Sequence, residues 1–168
     1  LVWDDMQTQR ALDCGFGFRE NVGGAVSDGV ELEVSANPLD GLTLTAGGAY
    51  INSRLSNDVA NLKAKKGDKA PFVPELSFNT SADYRFPISS EAEGFIFGSY
   101  QYVGERFTQF SPKQANYRKM AAYGVVSLRT GVTFDNIEFS VYADNLLDDR
   151  GVIRALAASP FDPEARIR

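Results

Sequence analysis

The chain has 168 residues, 43% of them hydrophobic and 12% aromatic, with a formal net charge of -5 at pH 7. A scattered, acidic charge set excludes a nucleic-acid partner, because binders of phosphate backbones display a basic field. Histidine is absent and Cys14 is the only cysteine, which removes intrachain disulfides, zinc clusters and every catalytic scheme that needs an imidazole.

No stretch approaches the roughly 18 consecutive apolar residues of a membrane helix, and the start does not resemble a signal peptide. A membrane is not thereby excluded, since barrels cross it with strands of about 9 to 11 residues. Leu1-Val2-Trp3-Asp4-Asp5 reads as a strand already under way, so the expectation is that the native N-terminus lies upstream.

In chain order, Leu1 to about Arg10 is expected to form a partial strand. Ala11 to Ser27 is expected to be a long connection with short pairing around Phe16 and Phe18. From Gly29, Val30, Leu32, Val34 and Ala36 alternate with Glu31, Glu33 and Ser35, the period of a strand with one apolar and one polar face. Asn37-Pro38-Leu39-Asp40-Gly41 supplies residues that turn a chain. A return strand follows, with Leu42, Leu44, Ala46, Gly48 and Tyr50 on one face.

Asn52 to Pro74 is polar, carries Lys63, Lys65, Lys66 and Lys69, and reads as a long loop. Alternation resumes from Leu76 to Phe86, reverses over Pro87 to Gly94, and continues from Phe95 to Val103. Glu105 to Ala121 is a second long polar loop holding Phe107, Phe110 and Tyr117. Tyr123 to Phe134 and Ile137 to about Asn145 form the last hairpin around the two-residue turn Asp135-Asn136. A further loop with Pro160 and Pro163 leads to Ala165-Arg166-Ile167-Arg168, where another strand is expected to begin. No helix is expected.

Short and long connections therefore alternate along about seven strands, the asymmetry of an up-and-down outer-membrane barrel with short periplasmic turns and long extracellular loops. Phe86 and Phe134 fall near short turns, while Tyr50, Tyr100 and Tyr102 fall nearer the long loops, as in two interfacial girdles. Periodicity alone leaves a soluble sandwich open. There the apolar face is core and Glu31, Glu33, Asp83, Arg85, Arg129 and Glu138 are solvated; in a barrel these six residues line the lumen.

The wording of the segments resembles a family. Asn21-Val22-Gly23-Gly24-Ala25, Gly29-Val30-Glu31-Leu32-Glu33 and Gly41-Leu42-Thr43-Leu44 resemble late barrel strands of TonB-dependent outer-membrane receptors. Ala82-Asp83-Tyr84-Arg85-Phe86, Tyr100-Gln101-Tyr102-Val103-Gly104-Glu105-Arg106-Phe107 and Asp144-Asn145-Leu146-Leu147-Asp148 are similar to later segments in the same order.

The resemblance implies an all-β, antiparallel meander supplying about seven strands of a 22-stranded transmembrane barrel. It implies that residues 1–168 are the C-terminal segment, with the plug domain and earlier strands absent. The implied whole is a receptor of Gram-negative bacteria that takes up a scarce nutrient such as a ferric siderophore. Its implied partners are outer-membrane lipid, its own plug and remaining strands, the TonB complex through the missing N-terminal region, and a small ligand such as a metal chelate. No cofactor and no enzymatic activity are implied.

Each candidate residue has a plainer account. Lys63, Lys65 and Lys66 can attract an anionic ligand or lipopolysaccharide phosphate, or simply solvate a loop tip. Phe107, Phe110 and Tyr117 can meet a ligand at a barrel mouth, or pack the loop on its neighbours. Glu31 and Glu33, about 7 Å apart by strand rise, match the spacing of glycosidase carboxylates, but solvation or pairing with Arg85 or Arg129 explains them as well. Gly15-Phe16-Gly17-Phe18 lacks the third glycine and lysine of a phosphate loop. Asp148-Asp149-Arg150 suits a loop turn as well as a weak calcium site. The alternatives to the receptor are a small eight-stranded outer-membrane barrel and a soluble carbohydrate-binding sandwich.

Overall fold

The computed structural model describes residues 1–4, 7–11, 16–21, 23–114 and 116–153. The strands are β1 (Val2–Trp3), β2 (Gln7–Ala11), β3 (Gly17–Asn21), β4 (Ala25–Leu39), β5 (Leu42–Leu55), β6 (Leu76–Pro87), β7 (Ala92–Val103), β8 (Arg106–Phe107), β9 (Lys119–Met120), β10 (Tyr123–Phe134) and β11 (Ile137–Ala143). One 3-10 turn, Ala60–Leu62, accompanies them. Seven strands form one antiparallel sheet in the order β1-β4-β5-β6-β7-β10-β11, while β2-β3 and β8-β9 form separate ribbons. The all-β meander expected from the alternation is present. Cys14 and the C-terminal loop and strand start, including Pro160, Pro163 and Ala165 to Arg168, lie outside the described residues.

The first strand differs from expectation. Val2–Trp3 pairs with β4, but Gln7–Ala11 folds back on β3. The physical reason is in its letters: Gln7-Thr8-Gln9-Arg10 has no apolar face to share with the main sheet. The central hairpin is longer than the apolar alternation suggests, because Ala25 pairs with Leu55 and Arg54 Nη1 donates to Asp28 Oδ2 at 2.7 Å across the strands. Its turn is tighter, narrowed to Asp40-Gly41 by a bulge between Ala36 and Leu39. Gly41 sits at φ +78, and a Cβ there would lie 2.0 Å from the Arg85 carbonyl oxygen, so this position admits only glycine without rearrangement.

Among the described residues neither face of the sheet is covered by a second sheet. Leu32, Phe139 and Val141 are each 69% exposed. A sandwich buries those positions against a facing layer, so it is not the arrangement here. Among the described residues the sheet is also open, with β1 and β11 at opposite ends of the strand order, and not a closed eight-stranded barrel. The buried apolar cluster lies at the end of the sheet that carries the long connections, where Leu55, the last residue of β5, packs with Val59, Ala64, Phe110 and Leu62.

Candidate functional site

Residues opposite one another in antiparallel strands share a face, so the register sorts the side chains. Five rows cross the polar face. The first runs Glu31, Ala49, Ser77, Val103, Tyr123, and the second Glu33, Gly47, Asn79, Gln101, Val125. The third is a ladder of hydroxyls, Ser35, Thr45, Ser81, Ser99 and Ser127, in which the Thr45 and Ser81 hydroxyls are hydrogen-bonded. The fourth holds Thr43, Asp83, Phe97, Arg129 and Tyr142, and the fifth Arg85, Phe95, Gly131 and Ser140. Glu138, opposite Thr133, extends the same face, so all six residues singled out on the polar face share it.

Charge is segregated along these rows. Glu31 and Glu33 border a concavity of about 540 Å³ together with Asn79 and Gln101. Among the described residues neither makes an ion pair. The arginines considered for them are engaged elsewhere: Arg85 with Glu93 at 3.3 Å and Asp83 at 3.5 Å, and Arg129 with Glu138. Register explains this, because Asn79 on the Glu33 row and Arg85 lie about 20 Å apart along β6 by strand rise.

Phe95 escaped sequence reading. It is 4% exposed, held between the guanidiniums of Arg85 and Arg129 at 5.6 and 5.5 Å from its ring centroid. The ring lies over Gly131, where a Cβ would approach within 2.8 Å of it. The only signal in the sequence was parity, an aromatic in the same alternating series as Glu93, Ser99 and Gln101.

The opposite face is apolar and banded. Phe78 stacks on Tyr102 at 5.1 Å and meets Tyr100 edge-on at 5.7 Å, near the long connections. Tyr84 stacks on Phe86 at 5.5 Å, near the short turns. From Phe78 to Phe86 the strand rises about 27 Å, or about 20 Å along a membrane normal at a barrel tilt of about 40°. That is close to the height of an outer-membrane barrel's apolar band.

The β5–β6 connection (residues 56–75) and the β7–β10 connection (residues 104–122) pack on each other. Lys63, Lys65 and Lys66 are exposed. The nearby carboxylates are already bonded by backbone: Lys65 N–H donates to Asp68 and Lys66 N–H to Asp58, each at 2.8 Å. Lys69 instead pairs with Glu75 at 2.8 Å, and that hydrogen bond holds its ammonium above the ordinary 10.5. Its Nζ also lies 5.9 Å from the Phe107 ring centroid, and Phe107 stacks on Tyr117 at 5.4 Å. Phe110 is buried in the loop core, the packing role rather than an exposed one. Asp148 pairs with Arg150, and Asp149 accepts the Gly124 N–H at 2.9 Å. No cluster of metal-ligating side chains occurs among the described residues.

These features have a counterpart among known proteins. Residues 3–146 match the family model of the TonB dependent receptor-like β-barrel. A probable TonB-dependent siderophore receptor, PiuA of Acinetobacter baumannii, is 24% identical over 147 residues, covering 82% of this chain and 19% of that protein. The chain thus spans about a fifth of that relative's length. No solved structure matches it. With a family match over most of its length, an open antiparallel meander and an unpartnered apolar face between two aromatic bands, the chain belongs to the TonB-dependent receptor β-barrel family of outer-membrane receptors.

Proposed function

We propose that residues 1–168 are a C-terminal wall segment of an outer-membrane, TonB-coupled uptake receptor for a scarce nutrient such as a ferric siderophore. The segment forms barrel wall and outer loops and carries no enzymatic activity. The observation that carries the reading is the single sheet with short turns at one end, long packed connections at the other, and an apolar face banded by aromatics at both ends. The printed name of the Acinetobacter baumannii relative favours a siderophore as cargo.

In this reading the apolar face meets lipid, and Glu31, Glu33, Asp83, Arg85, Arg129 and Glu138 line the lumen against a plug supplied from outside this segment. Lys63, Lys65, Lys66, Phe107 and Tyr117 contact the ligand from the loops, with Phe110 supporting them from beneath. TonB engages through the N-terminal part of the whole receptor.

The test is cysteine labelling of the full-length parent in bacterial outer membranes, in a Cys14→Ser background. A bulky water-soluble maleimide should label Lys65→Cys on intact cells and leave Leu128→Cys unlabelled. Uptake of radiolabelled ferric siderophores then tests the cargo. Recovery in the soluble fraction, or labelling of position 128 from outside, overturns the reading.

A further inference from the structure

The three long segments at one end of the sheet are joined by contacts that sequence separation hides. Between the β5–β6 and β7–β10 connections, Phe72 N–H donates to the Phe107 carbonyl at 2.8 Å, Phe110 packs on Leu55, Val59 and Ala64, and Lys69 approaches the Phe107 ring. Within the β7–β10 connection, Thr108 Oγ1 donates to the Asn116 carbonyl and accepts the Arg118 N–H, each at 2.8 Å.

Between that connection and residues 144–153 the joint is Arg106. This arginine is 8% exposed and has no carboxylate partner among the described residues, and its Nε makes no hydrogen bond. Its Nη2 donates to the Val152 carbonyl at 3.1 Å, and its guanidinium lies 5.4 Å from the Tyr123 ring centroid. Tyr123 in turn covers Gly151 so closely that a Cβ there would fall 2.3 Å from the ring. Gly124 N–H, next in the chain, donates to Asp149.

Burying a guanidinium is costly unless its N–H groups find partners, and among the described residues those of Arg106 are a carbonyl and an aromatic ring. Here it bridges the β7–β10 connection to the segment after β11. We infer that the three segments form one cooperative body and that Arg106 is the positioning residue that clasps the second to the third. A group of segments joined in this way opens as a unit, not as separate flaps. A ligand that orders one of them then orders all three, a consequence that rests on the transport reading; the clasp itself does not.

Hydrogen exchange on the full-length parent in detergent, without ligand, tests this. Three amides report on the body: Phe72 and Gly124 at the two joints and Arg118 within the second segment. In the unaltered protein they should share one protection level. Arg106→Gln, made in the second joint, should speed exchange about tenfold or more at Phe72 in the first joint as well as at Gly124, with β6 and β7 strand amides unchanged. Gly151→Ala, which pushes the third segment off Tyr123 by steric contact alone, should do the same, while Arg106→Lys restores part of the protection. Protection levels differing more than about tenfold in the unaltered protein overturn the inference. So does acceleration confined to Gly124 in either variant.

Discussion

The assignment of faces is most exposed to refutation at two adjacent residues of β10. Leu128 lies five residues from Tyr123 and six from Phe134, which bound that strand. By strand rise and barrel tilt it therefore sits within a few ångströms of the middle of the apolar band. Its row contains Ala36, Leu44, Ala82, Gly98 and Ala143, none of which offers a side-chain acceptor. An arginine placed there has no partner in its row, and at a bilayer midplane it costs about 2 to 4 kcal/mol. At about 1.36 kcal/mol per tenfold, Leu128→Arg should lower the folding equilibrium in lipid by about 30-fold to nearly 1,000-fold. Ser127→Arg points the other way, into a row of hydroxyls, and should cost about 0 to 1 kcal/mol. The assay is equilibrium folding of the parent protein into vesicles across a denaturant series, both variants side by side. Equal losses, or a larger loss at Ser127, would refute the assignment of the apolar face to lipid.

Two further predictions concern the packed connections. Leu55→Ala removes a side chain that is 1% exposed from a cluster of few residues, and in so small a cluster the loss is expected at about 2 to 3 kcal/mol. Exchange at the Gly67 amide, bonded to the Leu55 carbonyl, should rise about 30- to 150-fold while strand amides stay unchanged. Acceleration spread equally over β6 and β7 would contradict it. Lys69 gives a pH dependence: because Glu75 raises its folded value above 10.5, the stabilisation is complete below the unfolded value and disappears as pH climbs through the folded one. Protection of the β5–β6 connection from an alkaline protease should therefore be flat from about pH 7 to 9 and fall above about 10.5, and Glu75→Gln should remove that fall. A decline beginning near neutrality would contradict the assignment.

What could be read from the sequence was what depends on neighbours in the chain. The alternation from Val30 to Ala36, the turn letters at Asp135-Asn136 and the polar stretch with four lysines are local signals, and each became the element it suggested, while the turn expected over Asn37 to Gly41 narrowed to its last two residues. Strand ends were less legible, because β4 and β5 are prolonged by Asp28 meeting Arg54 and Ala25 meeting Leu55, pairs more than 20 residues apart. Phe95 and Arg106 were invisible for the same reason. Their burial depends on register with β6, β10 and residues 151–152, which no periodicity encodes. Phe110 carried both accounts in the sequence, and the cluster around Leu55 assigns it to packing.

The wall and the packed rim are also stabilised by different means. In water an open sheet leaves Leu32, Phe139 and Val141 unburied, and in lipid the edges left free among the described residues, that of β11 and that of β4 beyond its short pairing with β1, leave backbone N–H and C=O groups without partners. Neither solvent satisfies these seven strands alone, and on the proposed transport reading the wall draws its stability from closure with further strands. The rim does not share that dependence, because Leu55, Val59, Ala64 and Phe110 bury one another and Thr108 is bonded within its own connection. Substitutions such as Leu128→Arg therefore act through insertion of the whole barrel, whereas Leu55→Ala acts on local opening. On that reading the two effects separate only when measured on the full-length parent.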